Sequence, residues 1–245
     1  MCLVYKTASD MAEPEAILRT GGSEQGLLFD SLTVESNAEI AQATESALRK
    51  RVSGRMMYNT WLAMLSNDLV NDCKVDMALW RVLANIWRYG KRKEFDLADE
   101  SAQVLRGAMH RTSHEYIRYI GVTRFRDIGG LFYAELEPDC DVLPLLAEHF
   151  SARLADQSWI IHDLCRKKAA LYNMKTWVIT DITPQFPSEK SKKINKADKY
   201  QDLWREFFRS TTTIQRLNYK TQRGHMAKKY WKHLTETPGE LHGKM

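Results

Sequence analysis

His162, Asp163 and Arg166 place a base, a carboxylate and a fixed cation within five residues. An imidazole exchanges protons near neutral pH, a neighbouring carboxylate fixes its tautomer and raises its pKa, and a guanidinium grips an anion through a fork of N–H groups. His162 and Asp163 close an extended run, where sites often form, although an ordinary satisfied histidine at a capped strand end is the commoner use of such a residue. These three are the candidate catalytic residues, to be joined by Arg216 or Asn218 if distant segments converge on them.

Other chemistry-bearing types point nowhere so specific. His110 and His114 have the i, i+4 spacing of two ligands on one helix face, but no Glu stands in His110-Arg111-Thr112-Ser113-His114. The metalloprotease pattern therefore fails, and a solvated helix face is the reading. Cys2, Cys73, Cys140 and Cys165 contain no C-x-x-C pair, and a reducing compartment would leave them as thiols. The stretch from Thr20 to Gly26 lacks a following Gly-Lys-Ser/Thr and reads as a loop rather than a phosphate cradle. With no G-x-S-x-G, no G-x-G-x-x-G and no regular Cys/His set, neither cofactor nor metal is expected, and whether the chain is an enzyme stays open.

Charge gives the second signal. Residues 188–245 hold 14 lysines and arginines against six acidic residues, a net +8, whereas residues 1–187 carry a net −3. Aromatics interleave with the basic residues: Trp204, Arg205, Arg209, Arg216, Tyr219, Lys220, Arg223, Lys228, Lys229, Tyr230, Trp231, Lys232. Lysines contact phosphates as point charges and exposed rings stack on bases, so this mixture suits an anionic partner. For the aromatics alone the favoured reading is a helical layer whose rings are core and whose lysines face water.

The elements that must position these residues follow from composition and period. In 245 residues, 44% are apolar, 27% charged and only 18 are Gly or Pro, which excludes collagen-like and disordered classes. No apolar run approaches the ~20 residues that cross a bilayer, so no membrane role is expected. The start is acidic at Asp10, Glu13 and Glu15, unlike a signal peptide, and a cytoplasmic protein is expected. Beyond an N-terminal segment, 1–52, whose Glu39 to Lys50 is itself helical, helical spacing governs residues 53–120. Ser53 caps the run with Tyr58, Trp61, Leu62, Leu65 and Leu69, Asp76 opens a second helix and Asp96 a third.

At Gly121 the period changes from 3.6 to two. Val122 to Arg126 and Leu131 to Glu137 flank Asp127-Ile128-Gly129-Gly130 as a hairpin with one buried face; a helix, Asp141 to Leu154, and strands at 158–163, 169–172 and 176–182 follow. Residues 121–182 thus make an antiparallel sheet of about five strands with one helix. Residues 183–196 are a linker by composition, and Asn195 caps a final helix with Tyr200, Leu203, Trp204, Phe207 and Phe208 on its buried side, inside a basic helical region, 197–245. Further turns cover Gln215 to His225 and Lys228 to Leu234. The fold class is α+β, with C-terminal helices packed on the sheet and one compact domain overall.

Glu137-Pro138-Asp139-Cys140-Asp141-Val142-Leu143-Pro144-Leu145, His149-Phe150, and Trp159-Ile160-Ile161-His162-Asp163 with Arg166, Ala169 and Tyr172 resemble the central signature of a bacterial family of probable DNA metabolism proteins, a domain of unknown function. Tyr200 to Trp204, Phe207-Phe208, Ile214, Arg216, Asn218, Gln222, Met226 and Lys228 to Leu234 are similar to its C-terminal motif. The resemblance covers about Glu115 to Glu236, with a weaker helical likeness over Arg55 to Tyr89. It implies a role in DNA repair or modification. Members are typically encoded beside a radical S-adenosylmethionine protein resembling DNA photoproduct repair enzymes, and some are fused to a uracil-DNA-glycosylase-like domain. Both are implied partners here, as separate proteins, because 245 residues leave no room for a glycosylase. The resemblance also adds Arg124, Asn218 and Gln222 to Arg216, Lys220, Arg223, Lys228, Lys229, Tyr230 and Lys232 as expected nucleic-acid contacts.

The chain departs from the family pattern at four places: Cys140 and Ile117 stand where the family has His, Val122 where it has Phe, and Ala227 where it has Pro. Cys140 replaces the imidazole either as a soft metal ligand or as a small buried residue. Three functional classes remain: a DNA-binding accessory of a repair enzyme, an enzyme acting on DNA or a nucleotide, and an interaction module whose basic tail meets an acidic protein surface.

Overall fold

The computed structural model describes Pro14, Ile17 and residues 37–66, 73–89, 98–182, 199–211 and 219–235. The expected loop at Thr20–Gly26, the linker, the Asp96 and Asn195 caps, and Arg216 and Asn218 lie outside the described residues. The chain divides into two compact units, one of residues 1–114 with Asp139–Asp141, the other of 115–138 and 142–245.

The first unit is helical: α1 (Ala38–Arg49), α2 (Gly54–Leu65), α3 (Cys73–Tyr89) and the first part of α4 (Glu100–Val122). Asn37 and Ser53 cap α1 and α2, their side chains accepting from the Ile40 and Met56 amides at 3.0 and 3.1 Å, which satisfies orphan donors at each start. On α3, Val75, Leu79, Val82 and Ile86 recur at helical spacing and bury against Val52, Met56, Ala63, Leu105 and Ala108. Thr112, buried on α4, donates to the Leu62 carbonyl at 2.9 Å. Helix α4 begins four residues later than the Asp96 signal: Asp99 takes the start, its carboxylate accepting from the Ser101 amide at 2.8 Å.

The second unit carries a five-stranded sheet in the order β1 (Arg126–Asp127), β2 (Phe132–Leu136), β3 (Trp159–Asp163), β4 (Lys168–Tyr172), β5 (Trp177–Asp181), with α5 (Leu143–Arg153) between β2 and β3. The α+β class and the strand count are as expected, but the sheet is mixed. Strands β2 and β3 pair in parallel, Glu135 opposite His162, because α5 returns the chain to the end where β2 began. The expected hairpin is short. Helix α4 continues to Val122, so β1 has two residues, and Gly129 and Gly130 make the turn at φ +68° and +89°. Strand β2 also buries both faces, Tyr133 as well as Ala134 and Leu136.

Trp159, fully buried, stacks on Tyr172 at 5.2 Å and meets Phe125, whose ring is edge-on to Phe150 of α5. The edge strand β5 is exposed along its length. Helices α6 (Lys199–Thr211), α7 (Tyr219–His225) and α8 (Lys228–Trp231) follow. Tyr230 and Trp231 of α8 are core: the Tyr230 ring, 3% exposed, stands edge-on to Tyr119 at 5.2 Å, and Lys229 pairs with buried Glu115 at 2.7 Å. Helix α6 reverses the expectation of a buried aromatic side, since among the described side chains Leu203, Trp204 and Phe207 are exposed and Phe208 is half-buried, the Tyr200 side chain lying outside them. Its sheet neighbour is β1, too short to cover four apolar side chains.

Candidate functional site

The residues expected to act together separate at the end of β3. Successive side chains of a strand point to opposite faces, so His162 and Asp163 diverge. Asp163 turns to Arg166, Oδ2 to Nη1 at 3.0 Å, while its Oδ1 accepts from the amides of Cys165 and Arg166 at 2.9 and 3.1 Å. The same Nη1 donates to the Pro138 carbonyl at 3.1 Å. Burial pushes the Asp163 carboxyl up, against the pull of the guanidinium. This is a turn built on a sealed ion pair, and its contacts leave His162 out.

His162 joins other partners. Its register with Glu135 sets it on the face of β2 that carries Tyr133, and Tyr133 Oη lies 2.8 Å from His162 Nδ1 and 3.2 Å from Glu135 Oε1. Glu135 is ion-paired to Arg126 at 3.1 Å and accepts, so Tyr133 donates to it and receives the Nδ1 proton of His162. The tautomer follows from that assignment: neutral His162 carries its proton on Nδ1 and its lone pair on Nε2. Burial pushes His162 down despite Glu135 and Asp163, opposite to the rise expected from a carboxylate neighbour. Burial, with Glu135 second, pushes the Tyr133 hydroxyl far up, which keeps it a donor.

Beyond β2, Glu137 accepts from Lys232 Nζ and lies 3.7 Å from His233 Nε2. That nitrogen is buried without a hydrogen-bond partner among the described residues, and burial lowers the imidazole's pKa although Glu137 raises it. One sheet face thus gathers a hydrogen-bonded chain, Glu135–Tyr133–His162, while His233 stands beside Glu137.

The expected nucleic-acid contacts fall into groups. Lys220 and Lys228 are exposed, Lys229 and Lys232 are engaged by Glu115 and Glu137, and the core position of Tyr230 removes its ring from stacking. The side chains of Gln222 and Arg223, like residues Arg216 and Asn218, are outside the described set. Arg124 donates to the Gly121 and Thr123 carbonyls at 2.8 and 3.3 Å and sets its guanidinium 5.0 Å over the Trp204 ring. His110 and His114 are exposed on α4, and among the described residues no group of three metal-ligating side chains forms. Cys140 is buried and in no disulfide, as the small-residue reading requires.

A family model described as a domain of unknown function, DUF4130, matches residues 74–236. The chain belongs to this family. No curated protein and no solved structure matches it. The DUF4130 segment contains both the Tyr133–His162 chain and the Arg124–Trp204 contact.

Sequence reasoning missed Tyr133, Glu135, Arg126, Glu137 and His233. The i, i+2 spacing of Tyr133, Glu135 and Glu137 was a legible sign that they share a face; their meeting with His162 depends on the parallel register, which alternation alone does not disclose.

Proposed function

We propose that the chain binds DNA and serves DNA repair or modification in the cytoplasm as an accessory, with a radical S-adenosylmethionine protein and a uracil-DNA-glycosylase-like protein as partners. The observation that carries this reading is the net +8 of residues 188–245 beside the net −3 of the rest. Such a segment exchanges condensed counterions for lysine and arginine contacts, a gain that depends on salt rather than on sequence. The resemblance to DNA metabolism proteins points the same way independently of charge. Fluorescence anisotropy with labelled duplex and single strands tests it. Neutralising roughly five phosphates gives a log–log salt slope near about −4.5 on duplex and about −3.5 on single strands. A wild-type chain without affinity for either form at low salt would falsify the reading and favour an acidic protein surface as the partner.

A second reading, an enzyme acting on DNA or a nucleotide, is favoured by the Glu135–Tyr133–His162 chain, in which the His162 Nε2 lone pair is the proton acceptor. Its test is turnover: a product formed by wild type and lost in a folded His162→Ala variant supports it.

A further inference from the structure

Helix α6 carries Leu203, Trp204, Phe207 and Phe208 as one stripe at i, i+1, i+4 and i+5, the pattern of a helix face made for burial. Yet Trp204 is 38% and Phe207 56% exposed, with Leu203 beside them. Contiguous exposed aromatic surface marks a place where something binds. The two rings are 5.7 Å apart and inclined at 37°, splayed so that they present separate planes. Arg124 lies over the Trp204 ring, and its hydrogen bonds to the Gly121 and Thr123 carbonyls hold it in place before any ligand arrives.

We propose that this Arg124–Trp204–Phe207 platform is a stacking seat for the bases of single-stranded nucleic acid. The inference rests on the DNA-binding reading above and specifies the strand form that is bound. Charge complementarity selects the occupant: Trp204 and Phe207 belong to the segment of net +8 and Arg124 adds a further cation over the Trp204 ring, so a polyanion gains where a neutral apolar peptide does not. Its chemistry matches a strand with separated bases, since rings and a planar guanidinium offer stacking faces that unpaired bases can reach. Duplex DNA keeps its base faces covered and must be unstacked, at a cost of a few kcal/mol per step, before a ring reaches them. The platform therefore discriminates between strand forms without reading sequence, whereas the lysines contact both.

Anisotropy with the full chain, an oligothymidine and a hairpin duplex of equal phosphate number tests the proposal. Trp204→Ala and Phe207→Ala should each weaken oligothymidine binding roughly 5- to 150-fold while duplex binding and its salt slope stay at wild-type values. Trp204→Leu separates stacking from apolar docking: it keeps an apolar side chain and removes the ring, so it should fail as Ala does. Thermal melting of each variant at the wild-type temperature shows that the fold is retained, as exposed positions allow. Wild-type affinity of all three variants for oligothymidine overturns the platform and leaves the DNA-binding reading standing. A Trp204→Leu variant that binds like wild type also overturns it. Absence of wild-type binding to both probes at low salt overturns the two together. Sedimentation covers the other occupant: a wild-type dimer that Phe207→Ala converts to monomers with unchanged affinity assigns the face to a second copy and overturns the proposal.

Discussion

Arg166 closes over Asp163 so fully that the two side chains are 3% and 0% exposed, with Nη1 3.0 Å from Oδ2. The guanidinium also reaches the Pro138 carbonyl, so one side chain ties the end of β3 to the end of β2. A buried pair broken on one side leaves an uncompensated charge. Arg166→Ala should lower stability by about 3–5 kcal/mol in urea unfolding, whereas replacing both partners by apolar residues should recover much of that loss. A single-variant loss below about 1 kcal/mol, the value of an exposed pair, would contradict the sealed geometry.

Stability should depend on pH through two imidazoles. The folded pKa values of His162 and His233 lie below the ordinary 6.5 because burial disfavours the charged form. Glu135 and Asp163 oppose this at His162; Glu137 and Glu135 oppose it at His233, where Lys232 and Arg126 reinforce it. Below the unfolded pKa the unfolded chain takes up protons that the fold does not. Their contribution is therefore complete above pH 6.5 and is lost as pH falls through the folded values. Unfolding midpoints measured from pH 8 downward should fall in that window, and His162→Gln and His233→Gln should each flatten the curve.

The lysines of α8 should not be equivalent. Lys228 is exposed, while Lys229 and Lys232 hold Glu115 and Glu137. If the DNA-binding reading holds, Lys228→Gln should reduce the salt slope by about one phosphate's worth, ~0.9 on duplex, and the other two by less. Lys229→Gln should instead show in stability, since it removes the cation 2.7 Å from the buried Glu115 carboxylate. Equal effects of all three on the slope would mean that DNA displaces both carboxylates.

The turn between β1 and β2 rests on Gly130 at φ +89°, where the Asp127 carboxylate accepts from its amide at 2.7 Å. A Cβ there meets open space, so the cost of Gly130→Ala is conformational alone, about 1–2 kcal/mol by thermal unfolding. Asp127→Ala should cost about 1 kcal/mol through the lost hydrogen bond.

The helices and strands were legible wherever one face is buried and the other wet. Ser53 capping α2 and the apolar repeat of α3 report such local preferences, and β2 was legible from its alternating sequence although both its faces are buried. Long-range pairing was not legible. The parallel register of β2 and β3 depends on where α5 delivers the chain, and the meeting of Tyr133 with His162, 29 residues on, inherits that register. Asp163 and Arg166 were legible as a pair because i, i+3 spacing on a turn brings them together locally. The aromatic stripe of α6 was misleading for the opposite reason: its period identified a face, but a face carries no record of what covers it.

The contacts of α8 have a consequence for synthesis. Glu115 and Tyr119 receive Lys229 and Tyr230, a sequence separation of 114 residues for the ion pair. At about 5–20 residues per second, a ribosome needs roughly 6–23 s to make the intervening chain. Through that interval the buried carboxylate waits without this cation and the Tyr119 ring without this lid. The second unit thus completes this part of its core only once Lys229 and Tyr230 have been made, and a nascent chain stalled before Lys228 presents that seat to chaperones.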